Sequence, residues 1–161
     1  MNSKKGFNLI ETITYLGFTI IILPVIIYFF SNAIQTMMKN QVVADVERSA
    51  SLITQILTQT IRNADRINLP LLGGSSSTLS LIIFSGAATT TAVFDLNNGK
   101  IQMQEGASAA VFLNSADVVV SNLLFFNASR GGTVGSIKVQ FNLNKDIYSK
   151  LYYVSASLRK H

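Results

Sequence analysis

Apolar residues along this chain follow three successive patterns. Residues 12–38 carry no charge, and residues 13–30 are almost entirely apolar. From residue 33 to residue 67 apolar side chains recur every three or four positions, and no proline or glycine interrupts them. From residue 78 onward the period is two. Steps of three and four are typical of one helical face and steps of two are typical of a half-buried strand, so we expect a long helix followed by strands.

The first segment is long and apolar enough to cross a membrane, which takes about 20 residues. A cleavable secretory signal usually has an apolar stretch of about 7–15 residues that ends in small residues. Here the stretch is longer and ends in an aromatic run at positions 28–30, which indicates a retained membrane helix. Lys4 and Lys5 precede the span and only Lys39 follows it closely. Basic flanks tend to stay cytoplasmic, so we expect a single-pass protein with its C-terminal domain outside.

The second segment continues the helix as an amphipathic element. Its apolar stripe consists of Val42, Val43, Val46, Ala50, Ile53, Ile56, Leu57, Thr60, Ile61, Ala64 and Ile67. Pro70 and the glycines at positions 73 and 74 end the pattern. We therefore predict one helix over residues 7–67, with a membrane-spanning half at 7–34 and an amphipathic half at 35–67. The apolar stripe requires a covering sheet.

Strands are predicted throughout residues 78–158. Alternation at residues 79–83 and 92–96 leads into Asn98-Gly99, and residues 101–104 supply a return strand. Asn-Gly between two alternating runs is a strong hairpin signal. Residues 110–113, 118–126, 137–143 and 151–158 favour further strands, with a turn at positions 130–132. Strands grouped after one helix indicate an α+β fold with an antiparallel sheet, and residues 35–161 form its globular domain.

Composition argues against catalysis. Charged residues make up 13% of the chain, there is no cysteine, and the only histidine is the last residue. Soluble domains carry about 25% charged residues, so the low charge content indicates that part of this chain prefers lipid or a partner to water. Without cysteine there is no thiolate metal site or thiol nucleophile, and a terminal histidine is a poor base for a catalytic triad. The acidic residues are scattered. We expect no enzyme, no cofactor and no metal, and the net charge of +5 indicates no particular partner.

The residues just before the span form a motif, reading Lys-Lys-Gly-Phe-Asn-Leu-Ile-Glu at positions 4–11. This run resembles the bacterial type IV prepilin signature, which type II secretion pseudopilins and competence pilins share. The resemblance implies that residues 1–6 are a leader that a prepilin peptidase removes between Gly6 and Phe7. It also implies N-methylation of Phe7 and places Glu11 at the fifth mature position, where the family carries a glutamate for subunit assembly.

The resemblance further implies a pilin-like fold and a structural role as a minor pilin or pseudopilin. The implied partners are other pilin subunits, the prepilin peptidase, an inner-membrane assembly platform and the lipid bilayer. An ionised group inside lipid costs about 2.5–3.5 kcal/mol on insertion scales, so pairing of Glu11 with a neighbour's terminal amine would favour ordered assembly. Secretion, motility, adhesion and competence filaments share this N-terminus. The alternatives are a DNA-uptake pilin and a single-span anchored binding domain that does not polymerise.

One position departs from the family pattern. Many major pilins carry proline at the twenty-second mature position, which here is Tyr28, and this chain has Pro24 instead. Proline removes a helical N–H and kinks or locally melts a helix. Two interpretations stay open for this predicted kink: simple tolerance of proline in a membrane helix, or a flexible span that adapts as the subunit enters a filament.

Two weaker ligand patterns occur near the C-terminus. Asn142, Asn144 and Asp146 have the alternate spacing of calcium-loop oxygens, but position 147 lacks the glycine such a loop needs, so a hairpin turn is favoured. A basic bias with interleaved tyrosines suggests DNA contact, which needs a clustered basic face. The residues concerned are Lys138, Lys145, Lys150, Arg159 and Lys160, with Tyr148, Tyr152 and Tyr153. Solvated lysines on strand edges explain them more simply.

Overall fold

The computed structural model describes residues 8–85, 88–130 and 135–159. One helix, α1 (Leu9–Asn63), precedes nine strands. The strands are β1 (Ala64–Leu69), β2 (Ser75–Ser76), β3 (Leu79–Ser85), β4 (Ala88–Asn97), β5 (Lys100–Glu105), β6 (Val111–Phe112), β7 (Val119–Asn127), β8 (Ser136–Lys145) and β9 (Tyr148–Ser157). The chain forms two compact units, Met1–Gln41 and Val42–His161. The predicted boundary at residue 35 lies within one to two helical turns of this division.

The part of α1 in the second unit packs on the strands through the predicted apolar stripe. Its buried residues are Val46, Ser49, Ala50, Ile53, Leu57, Thr60 and Ile61. Their spacing of three and four keeps them on one face. These side chains share one core cluster with inward-facing residues of the strands, including Phe94, Phe125 and Phe141. The predicted α+β layout, in which a long N-terminal helix packs on antiparallel strands, is confirmed.

The helix is shorter at its C-terminal end than the sequence predicts. It ends at Asn63, and residues 64–69 form strand β1. Ala64 and Ile67 do lie on the apolar side, as the helical pattern requires, and Ala64 is fully buried. They reach it in an extended conformation, because β1 pairs with β3 at Ala64↔Ile83 and Ile67↔Leu81. This tertiary pairing overrides a local pattern that a helix would satisfy equally well.

The strands form two antiparallel sheets, not the single sheet predicted. Sheet A has the order β1-β3-β4-β5-β6, and sheet B has the order β2-β7-β8-β9. Most neighbours within each sheet are consecutive in sequence, so each sheet is largely a meander. The sheets meet where the Val120 N–H donates to the Gly99 carbonyl at 2.7 Å. Both sheets contribute inward side chains to the common core with α1.

Both tight hairpins have the turn geometry that their residues favour. Asn98 and Gly99 have φ values of 48° and 72° between β4 and β5, as a type I′ turn requires. This confirms the hairpin predicted from Asn-Gly. Asp146 has a φ of 50° in the two-residue connection from β8 to β9, which confirms the hairpin predicted there. Gly131 and Gly132, part of the other predicted turn, lie outside the described residues.

Candidate membrane-spanning and assembly segment

The N-terminal part of α1 exposes an apolar surface over its whole circumference. Every side chain from Leu9 to Asn32 is exposed, and Ile21 has 68% of its surface accessible. By length and composition, α1 is the one helix in the described part of the chain that could cross a membrane. A helix that is apolar on all sides is stable in lipid or among other apolar helices, so this surface requires one of those two surroundings.

Three threonine hydroxyls in this part of α1 are satisfied within the helix. The side chains of Thr14, Thr19 and Thr36 each donate a hydrogen bond to the backbone carbonyl four residues earlier, at 2.8–2.9 Å. Such bonds remove the need for water, which the hydrocarbon region does not supply. Pro24 lies inside the helix without ending it. The kink expected there stays a prediction.

Glu11 lies in the first turn of α1. Asn8 directly precedes the helix, and its backbone carbonyl accepts the first hydrogen bonds, from the Glu11 and Thr12 N–H groups at 2.9 and 3.2 Å. A carboxylate in the first turn interacts favourably with the helix dipole. Glu11 is exposed, and its carboxylate is available to an adjacent molecule. The cleavage and methylation positions, Gly6 and Phe7, lie outside the described residues.

One neighbour of this carboxylate, Tyr15, is not part of the sequence motif. The Tyr15 hydroxyl lies 3.5 Å from the Glu11 Oε1 atom and donates a weak hydrogen bond to it. The signal that could have found Tyr15 is its position four residues after Glu11, because side chains at that spacing lie on one helical face. Tyr15 and Glu11 therefore lie side by side on one exposed face of α1.

Within the second unit, two ion pairs join the part of α1 just after Gln41 to the β8–β9 hairpin. The Lys145 Nζ atom lies 2.7 Å from Asp45 and 3.8 Å from Asp117, and the Lys150 Nζ atom lies 2.5 Å from Glu47. The hydrogen bond from Lys150 lowers the pKa of Glu47 and raises the pKa of Lys150 in return. Asp45 acts on Lys145 in the same way and raises its pKa. These contacts fasten α1 to the β8–β9 hairpin.

The three residues with calcium-loop spacing are used within the hairpin. Asn142 and Asn144 lie on β8, and their side-chain oxygens both accept hydrogen bonds from the Ser149 hydroxyl, at 3.2 and 2.6 Å. Asp146 occupies the turn. Across residues 8–85, 88–130 and 135–159, no three His, Cys, Asp or Glu side chains come together as metal ligands. The asparagines stabilise the pairing of β8 with β9.

The basic and aromatic residues near the C-terminus do not form one surface. Lys145 and Lys150 are paired with carboxylates. Lys138 is exposed on β8, and its neighbours in the strand, Ile137 and Val139, point to the core. Tyr152 stacks on Phe141 with 5.6 Å between the ring centroids, which makes that ring face unavailable to a base. Tyr153 is 72% exposed. Lys160 lies outside the described residues.

The exposed apolar helix that begins beside Glu11 is thus the most distinctive feature of the molecule. No family model, no curated protein and no solved structure matches the chain. Functional reasoning therefore depends on the residues and on the physical demands of their surroundings.

Proposed function

We propose that this protein is a structural subunit, a minor pilin or pseudopilin, of a type IV pilus-like or type II secretion filament. The observation that carries this proposal is the exposed apolar segment from Leu9 onward, with the Gly6-Phe7 motif before it and Glu11 in its first turn. In the membrane this surface would contact lipid. In a filament it would contact the same segment of neighbouring subunits.

Glu11 gives the filament model a specific prediction of subunit register. Cleavage before Phe7 creates a terminal amine, and a neighbour's amine could pair with the exposed Glu11 carboxylate. Inside an apolar bundle neither charge is stable alone, because an unpaired ion in a nonpolar medium loses its solvation. Pairing would therefore favour one axial offset between subunits over the alternatives. In this proposal the protein is not an enzyme.

Processing is the first test. In a host with a prepilin peptidase, mass spectrometry of the membrane fraction should show a mature protein that begins at Phe7 and carries an added methyl group. Gly6→Ala should block most cleavage, because the peptidase needs an unhindered, extended backbone at that position. The matched control is the unaltered protein in a host without the peptidase, where residues 1–6 should remain. An intact N-terminus in the competent host would refute the filament assignment.

Assembly is the second test. Glu11→Ala should lower the fraction of protein recovered in sheared filaments steeply, because breaking a buried charge pair costs about 3–5 kcal/mol. Membrane insertion and cleavage should persist. Glu105→Ala is the matched control, since Glu105 is an exposed carboxylate at the end of β5. Equal incorporation of the Glu11 variant with normal cleavage would exclude a repeating shaft position and leave a tip subunit or an anchored domain that does not polymerise.

The DNA-uptake alternative has less support. Two of the lysines it would use are paired with carboxylates on α1, and one of the tyrosines is stacked in the protein. Phosphate binding would have to break those ion pairs before it gained any attraction. The anchored-domain alternative shares every feature of the span and differs only in the outcome of the Glu11→Ala experiment.

A further inference from the structure

Strand β9 is a long and regular edge strand. It lies at the end of sheet B, and no described strand pairs with its outer side. It runs for ten residues without proline, and its register with β8 contains no bulge. Folded proteins usually shorten, bend or cover such edges, because a row of free N–H and C=O groups pairs readily with another chain. Among the described residues the β9 edge has none of these three protections, and Lys150 is the one lysine of the strand.

The hairpin register identifies which backbone groups are free. Lys145 pairs with Tyr148 across the two-residue turn, and the closing pair of such a turn exchanges its backbone hydrogen bonds. Hydrogen-bonded and non-bonded pairs then alternate along an antiparallel ladder. Every second residue of β9 therefore directs its N–H and C=O groups outward, away from β8. Apart from Ser157, the last residue of the strand, they are Ser149, Leu151, Tyr153 and Ser155.

A groove lies beside this strand. It has a volume of about 630 Å³, and α1 lines it mainly with hydroxyl and amide side chains, among them Ser51, Thr54 and Gln55. Two charged residues of α1 also line it, Glu47, which is paired with Lys150, and Arg62. Tyr152 forms the wall on the β9 side. The Tyr152 hydroxyl is buried beside the Glu47 carboxylate, and its contact with that carboxylate contributes to the lowered pKa of Glu47. A strand added to β9 would place alternate side chains in this groove, where polar groups are available to them.

Two arginines lie at one end of the groove or in the cavity next to it. Arg62 lines both the groove and an adjacent cavity of about 410 Å³, which Arg159 also lines. The Arg159 N–H donates to the Arg62 carbonyl at 3.2 Å, so the two residues are neighbours. Within the described residues neither arginine forms a salt bridge, whereas Lys145 and Lys150 do. Arg62 at this end of the groove and Arg159 in the adjacent cavity are therefore two positive charges without a carboxylate partner among the described residues.

We propose that the β9 edge accepts an extended segment of a partner protein as an additional strand of sheet B, with an acidic residue of that segment against Arg62 and Arg159. Free backbone groups in a row recognise an extended polypeptide, and the neighbouring side chains select its sequence. The two arginines favour a carboxylate by charge complementarity. All the residues involved lie in the second unit, so this inference does not depend on the proposed filament.

The test uses the full chain in detergent micelles with the synthetic peptide acetyl-Asp-Asp-Thr-Val-Thr-Val-Thr-Val-amide, and with the reversed sequence, since the added strand can run in either direction. Hydrogen exchange of individual amides is followed by nuclear magnetic resonance. At saturating peptide, the outward amides of Ser149, Leu151, Tyr153 and Ser155 should exchange about tenfold more slowly or slower still. The amides of β9 that already bond β8 should change little, which distinguishes strand addition from contact elsewhere.

Two controls make the result specific. The same peptide with alternate backbone nitrogens methylated keeps its side chains but cannot pair, and it should give no protection. Tyr153→Pro removes one outward N–H and leaves the bonds to β8, as proline allows on an edge, and should weaken binding about tenfold or more. The double variant Arg62→Gln, Arg159→Gln leaves the sequence of β9 unaltered. It should abolish the preference for the acidic peptide over its asparagine counterpart.

Three outcomes would overturn the proposal. The first is unchanged exchange at the four outward amides with both peptide directions. The second is equal protection by the methylated peptide. The third is protection that rises with protein concentration in the absence of peptide, which would assign the β9 edge to a second copy of this chain.

Discussion

Single polar side chains hold the strands of the globular unit in place. Asn114 is buried, its side-chain oxygen accepts the Ile101 N–H at 2.9 Å, and its side-chain nitrogen donates to the Val118 carbonyl at 2.5 Å. Asn127 performs a similar task elsewhere and donates to the Pro70 carbonyl at 2.8 Å. Both asparagines satisfy backbone groups that strand pairing leaves free, and a buried backbone group without a partner is costly.

Asn114→Ala should therefore destabilise the protein by about 1–3 kcal/mol, the range for leaving buried partners unsatisfied. Denaturant unfolding, monitored by circular dichroism, measures this loss. Asn97→Ala is the matched control, because its hydrogen bond to Gln102 lies on the surface, and it should change stability by about 0.5 kcal/mol or less. Equal stabilities of the two variants would show that Asn114 does not support the interior.

At the scale of elements, α1 and the β8–β9 hairpin are joined by charge as well as by packing. Because the hydrogen bond from Lys150 lowers the pKa of Glu47, the folded state binds a proton at Glu47 less readily than the unfolded state. The stabilising contribution is present above the unfolded pKa near 4.5 and is lost as the pH falls through the lower, folded value. Stability should therefore decline on acidification through this region.

Glu47→Gln should remove part of that decline. In wild-type protein the midpoint of thermal unfolding should fall as the pH drops below about 4.5, and the variant should show a shallower slope over the same interval. Glu105→Gln serves as the control, since Glu105 is exposed and forms no ion pair in the described part of the chain. The role assigned to the Lys150–Glu47 pair would be wrong if all three proteins gave the same slope.

The elements also show what local sequence can and cannot predict. The β4–β5 hairpin follows from Asn98-Gly99, because only a few residues adopt its turn conformation. Strand β1 could not be predicted, since Ala64 and Ile67 fit the helical stripe and are extended only because β3 lies beside them. Alternation likewise indicates which side chains point inward, but not which strands are neighbours. For that reason the sequence predicts most of the core residues but does not predict that the strands divide into two sheets.

The candidate sites also differ in how far the sequence alone predicts them. The membrane span follows from composition alone, because lipid selects for apolar character regardless of partners. The proximity of Arg62 to Arg159 could not be predicted, since 96 positions separate them in the sequence and only the end of β9 brings them together. The surroundings of the Tyr152 hydroxyl could not be predicted either, because they depend on β9 being the last strand of sheet B.

For the whole molecule, the division after Gln41 predicts an independent globular domain. A truncated protein that begins at Gln35 should be monomeric and unfold cooperatively, because every buried apolar residue in the described part of the chain lies at Val46 or beyond. Circular dichroism should show both helix and strand, and analytical ultracentrifugation should show a monomer. A protein that begins at Ser51 lacks Val46 and Ala50 and should be much less stable. Equal stability of the two would mean that the helix contributes little to the core.

The strand pairs of this molecule close loops of very different lengths, so the entropy lost on closing them also differs. Most pairs in both sheets join segments that are consecutive in sequence, so each meander assembles through short loops. The pairing of Ser76 with Phe125 and the contact of Asp45 with Lys145, which are 100 positions apart, close far larger loops. Closing a loop costs more entropy as it lengthens. Long-range contacts of this kind, together with the core that both sheets share with α1, therefore determine whether the two meanders behave as one cooperative domain.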